Sequence, residues 1–146
     1  MTVWKPGIQT ICLPVFLLVM LFGCTYSSTT SKQLEFSISK DSLYNEIREI
    51  VDYRDISVEG ITINENSKKY NRLTILITNP SELPETLDQR RVIYKAVART
   101  CRQALKHPEA YSEFIVSVRI IRNTRRTFKD DSFKLEKIEF NTEELK

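Results

Sequence analysis

Apolar residues recur along this chain at two different periods, and their order limits the folds open to it. From Ser42 to Arg54, Leu43, Ile47 and Ile50 return at helical spacing, with Asp41 or Ser42 as the candidate N-cap. Ile56 to Ile63 is β-branched. Its alternation switches parity at Gly60, from Ile56 and Val58 to Ile61 and Ile63, which predicts a bulge at the glycine. Beyond a polar turn over 64–71, Leu73, Ile75 and Ile77 alternate, so the two runs predict a β-hairpin. Pro80 and Pro84 end that strand. A long helix is predicted over about Glu85 to Lys106, acidic at its start, basic at its end and stopped by His107-Pro108. Phe114, Val116, Val118 and Ile120 predict a third strand, 122–131 a charged turn, and Phe133 to Phe140 a fourth strand with a second parity switch near Lys137. The order α-β-β-α-β-β predicts an α+β domain: a four-stranded antiparallel sheet with two helices packed on one face.

Composition sets the scale. The chain has 146 residues, 41% apolar and 28% charged, with a net charge of +3. That length supports one core without covalent staples. The charge balance is too even for a dedicated nucleic-acid binder, so no nucleic-acid partner is expected. Glycine is too scarce for a phosphate-cradling loop, and no Ser-centred nucleophile turn occurs. The single histidine, His107, beside the helix stop, reads as a dipole partner rather than a base. No catalytic residue, no cofactor and no metal site is therefore assigned; the adjacent Asp130 and Asp131 read as solvated turn residues.

The N-terminus carries a different signal. Ile11 to Phe22 is an uncharged, largely apolar run, too short to span a bilayer, which takes about 20 residues. It has the length of a secretory signal core. It ends in Leu21-Phe22-Gly23-Cys24. This resembles the lipobox of bacterial lipoproteins: an aliphatic residue, a variable one, a small one, then Cys. The resemblance covers residues 1–24 alone. It implies a signal peptide over 1–23, cleaved before Cys24, and lipidation of the Cys24 thiol. It also implies a bacterial cell-envelope protein held to the membrane through that lipid. Thr25, where Asp would signal inner-membrane retention in many Gram-negative species, implies the outer membrane, facing the periplasm. The polar stretch Thr25 to Lys32 lacks a hydrophobic period and reads as the start of a flexible tether over 24–40, with the single domain over 41–146.

Cys12 would leave with the signal, so Cys101 would be the one thiol left in the mature domain. It lies on the apolar face of the long helix and reads as a small core residue. The opposite face carries Arg91, Lys95, Arg99, Arg102 and Lys106 within about an 80° sector. Arg119, Arg122, Arg125 and Arg126 add to the positive charge. The helix cations are the candidate contact for anionic lipid headgroups or an acidic envelope protein. Tyr44 and Tyr94 are expected to border the core, and Tyr53, Tyr70 and Tyr111 to sit near element ends, as border packing or an exposed contact patch. The functional expectation is a non-catalytic binding or assembly module, with an inhibitor or immunity-type protein as the alternative.

Overall fold

The structure is a computed structural model that describes residues 27–121 and 133–146. Strand β1 spans Ser27–Lys32, helix α1 Lys40–Ile50, β2 Tyr53–Glu65 and β3 Lys68–Pro80. Helix α2 spans Leu87–Ala104, β4 Glu113–Ile121 and β5 Phe133–Asn141. Short 3-10 turns occupy Pro108–Ala110 and Glu143–Leu145. The α+β class holds, and the helices share one core with a single face of the sheet.

Two features of the expected sheet are corrected. It has five strands in the order β1-β2-β3-β4-β5, and β3 pairs with β4 in parallel. The parallel pair follows from α2. The helix carries the chain back to the end where β3 begins, so Arg72 comes to lie opposite Glu113 and Thr78 opposite Arg119. The other three pairings are antiparallel.

The fifth strand comes from the segment expected to be a tether. Ser27–Lys32 runs antiparallel along β2, from Ser27 opposite Glu65 to Lys32 opposite Gly60. The next residues also belong to the domain: Leu34, Phe36 and Ile38 pack against the core. Ser37 N–H donates to the Ala104 carbonyl at 2.8 Å, and Lys106 N–H donates to Glu35 O at 3.0 Å. The expected tether over 24–40 thus overlaps a folded edge strand and a core-packed segment. Expectations for residues 1–26 and 122–132 lie outside the described residues, including the signal, Cys24, the charged turn with Asp130 and Asp131, and Arg122, Arg125 and Arg126.

The predicted bulge at Gly60 is absent. The β2–β3 register runs unbroken from Ile56 opposite Ile77 to Glu65 opposite Lys68. The parity switch instead marks a change in what covers the sheet. Ile56, Val58 and Gly60 face the helices, while Ile61 and Ile63 point to the opposite face. Gly60 is needed for close approach: a Cβ there would lie 2.9 Å from Leu34 Cδ2, 3.0 Å from the Lys32 carbonyl and 3.1 Å from the Tyr111 hydroxyl. The switch near Lys137 has another origin: the helix-facing position there is the acid Glu136, which pairs with Arg90 of α2. The register stays continuous, Glu136 joins the helix-facing side, and Leu135 lies 54% exposed on the other.

Beyond Gly60, β2 and β3 continue as a hairpin arm edged by β1. Its turn is Asn66-Ser67, with φ of 49° and 65°. Both central residues are left-handed, as the tightest hairpin turns require. On the arm, Ile63 is buried between Thr29 and Tyr70, and Thr62 Oγ1 donates to Asn71 Oδ1 at 2.8 Å.

Capping fixes the helix starts. Ser39, rather than Asp41 or Ser42, caps α1 and accepts from Ser42 N–H; Thr86 caps α2 and accepts from Gln89 N–H. Helix α1 ends at Ile50, before the predicted Arg54, because Val51 is already extended. The core stacks Leu43, Ile47, Val97 and Cys101 against Leu73, Ile75, Ile77, Phe114, Val116 and Phe140.

Candidate functional site

Three of the five helix cations are engaged within the chain. Arg91 Nη2 pairs with Glu144 Oε2 at 2.8 Å, and its guanidinium lies 5.1 Å from the Phe140 ring centre. Arg99 donates from Nε to Leu145 O at 3.4 Å and from Nη2 to Lys146 O at 3.2 Å. Arg102 Nη1 donates to Leu145 O at 3.4 Å. Three arginines thus clasp the 143–146 segment across α2 and satisfy carbonyls at the end of its 3-10 turn. Lys106 lies 3.8 Å from Glu35, an exposed contact that contributes little. Lys95 is half-buried on the same helix. The nearby acids that matter are Glu144 and Glu35, far away in sequence. Arg119 is exposed on the open sheet face, opposite Thr78 and Leu135.

Cys101 is a free, fully buried thiol, and burial pushes its pKa up to about 12. Tyr53, Tyr94 and Tyr111 are buried, which excludes an exposed patch built on Tyr53 and Tyr111; Tyr70 is half-exposed on the arm. His107 is exposed, 3.4 Å from Glu109. Among the described residues no cluster of three or more His, Cys, Asp or Glu could hold a metal ion.

Two features were not foreseen. The first is a polar cluster under the start of α2. Arg90 Nε meets Glu136 Oε1 at 2.9 Å, and its Nη1 donates to Pro84 O at 2.8 Å and Glu85 O at 2.7 Å. Arg90 therefore pins the loop before α2 to β5. The buried Tyr94 hydroxyl beside this pair makes no hydrogen bond. Burial first, and the Glu136 carboxylate second, raise its pKa above the ordinary tyrosine value. The ion pair joins α2 to β5 and, with the two carbonyl contacts, ties down the loop before the helix.

The second is a groove of about 600 Å³ between the end of α1 and the loop before α2. Ile50, Val51, Leu83, Pro84 and Ile93 give it an apolar lining. Asp52, Ser81 and Glu82 supply its polar groups, and Ser81 Oγ donates to Asp52 Oδ2 at 2.7 Å. Ser81 N–H donates to the Asp52 carbonyl at 3.0 Å, closing that end of the groove. The groove lies where β2 begins and β3 ends, so it stands at the opposite end of the sheet from the Asn66-Ser67 turn. The sequence signal was faint: two prolines and two acids in segments that regular periodicity leaves blank.

No protein-family model matches this chain, and no curated protein or solved structure matches it. Among the described residues no helix is long and apolar enough to cross a membrane.

Proposed function

We propose that this protein is a lipid-anchored component of a bacterial cell envelope, at the outer membrane facing the periplasm, and acts as a non-catalytic binding module. The observation that carries the reading is Leu21-Phe22-Gly23-Cys24, placed just ahead of the first strand of the domain. Intact mass spectrometry of the membrane-fraction protein tests it. A chain beginning at residue 24 with a lipid adduct is expected, and Cys24→Ala is expected to abolish both cleavage at that site and the adduct. An unmodified wild-type mass starting elsewhere overturns the reading.

The contact surface in this reading is the groove rather than the α2 cations, whose arginines are engaged within the chain. Its occupant is a segment of another envelope protein that pairs apolar side chains with Lys or Arg. The apolar lining favours the first, and Asp52 and Glu82 favour the second. Because the chain has a net charge of +3, nonspecific attraction works the other way and favours acidic peptides. An amphipathic Leu/Lys peptide is therefore expected to bind more tightly than its Leu/Glu counterpart in a titration. Glu82→Lys, at an exposed position, is expected to remove that preference. A preference for Leu/Glu in the wild-type protein sinks this assignment.

A further inference from the structure

We infer that the tip of the hairpin arm, with Lys68 and Lys69, is the surface that rests on the anionic headgroups of the anchoring bilayer. The inference rests on lipidation of Cys24 and specifies how the domain is then held. Three residue steps separate Cys24 from Ser27, the first residue of β1. At 3.8 Å per step, the anchor reaches at most about 11 Å from the start of the strand. Ser27 lies opposite Glu65, and Glu65 opposite Lys68. The lipid is therefore leashed to the arm tip and to no other part of the domain.

Charge and distance agree. Lys68 and Lys69 are both exposed, one on each face of the arm, against the single acid Glu65. The end of α2 attaches to the chain just past the level of Gly60: Lys32 lies opposite Gly60, and Lys106 N–H donates to Glu35 O. From Gly60 to Glu65 the strand rises about 17 Å. That is about twice the screening length of roughly 8 Å at physiological salt. With the arm tip on the surface, the α2 cations contribute little to lipid attraction. The groove lies about 40 Å from the tip along β2, so a domain standing upright on its tip carries it well clear of the headgroups.

The test uses the lipidated chain in vesicles of phosphatidylethanolamine and phosphatidylglycerol that contain headgroup-quencher lipid. A fluorophore is placed on Ser67→Cys, Gln103→Cys or Ser81→Cys; the buried Cys101 is spared. Strong quenching at position 67, with little at 103 and 81, is expected. Replacing Lys68 and Lys69 by Glu is expected to weaken the quenching at 67. Stronger quenching at 103 than at 67 puts α2 on the membrane and overturns the inference. Equal weak quenching at all three positions, on protein whose Cys24 adduct is confirmed by mass, overturns it while leaving the lipoprotein reading intact. Absence of the adduct overturns both.

Discussion

Replacing Phe114 by Ala is expected to destabilise the domain by about 3–5 kcal/mol. Phe114 is fully buried on β4, between Leu73 of β3 and Phe140 of β5, on the face that meets the helices. Gly60 follows Leu73 in the same cross-strand row and brings no side chain of its own to the space. A domain of this size is stable by about 5–15 kcal/mol, so the variant loses a large share of the total. Urea unfolding should show a much lower midpoint. Leu135→Ala is the internal control. Leu135 lies 54% exposed on the opposite face, and its replacement should cost less than about 0.5 kcal/mol. Equal losses for the two variants would mean that the strand faces are wrongly assigned.

The second large effect is expected in alkali. The Cys101 thiol has an ordinary pKa of 9.0, and burial raises it to about 12 in the fold. The unfolded chain therefore releases this proton first. The stability linked to it is fully present below pH 9 and is lost as pH rises towards 12. Within that window its slope approaches about 1.4 kcal/mol per pH unit. The tyrosines act in the same direction at higher pH: Tyr44, Tyr53, Tyr94 and Tyr111 are all raised above 10.0, chiefly by burial. Cys101→Ala separates the contributions. It should cost about 1 kcal/mol at neutral pH through the small cavity it leaves. Its stability should then fall less steeply than wild type between pH 9 and 10. Parallel slopes in that interval would show that the thiol is not protected by the core.

These outcomes also show where the sequence was readable. Leu73, Ile75 and Ile77 declared a strand and the side it buries, because a strongly buried face imposes its period on the residues. Strand β1 gave no such signal. Ser27–Lys32 is an edge strand held by backbone pairing to β2, and a mostly exposed edge places little demand on side chains. The alternation of Leu34, Phe36 and Ile38 was a usable clue that the chain had already joined the core. The parallel pairing had a clue as well: a strand, a long helix and another strand is the order of a crossover unit. The two parity switches were real, but a strand that outruns its helical cover, as beyond Gly60, or a helix-facing acid with its own arginine, as at Glu136, produces them as readily as a bulge does. The site was harder to see. The helix-wheel geometry of Arg91, Arg99 and Arg102 was legible, but their partners lie more than 40 residues away in the chain and only folding identifies them.

The place of β1 in the chain has a consequence for biogenesis. Synthesis from the N-terminus delivers Ser27 long before Glu65, its partner, emerges. During that interval the strand has no neighbour. An unpaired strand rich in Val, Ile or Phe would invite self-association between nascent chains. Ser-Ser-Thr-Thr-Ser-Lys can wait in water at little risk. The same polarity that hides this strand from a hydrophobic-period search lets it stay solvated until β2 arrives and closes the sheet.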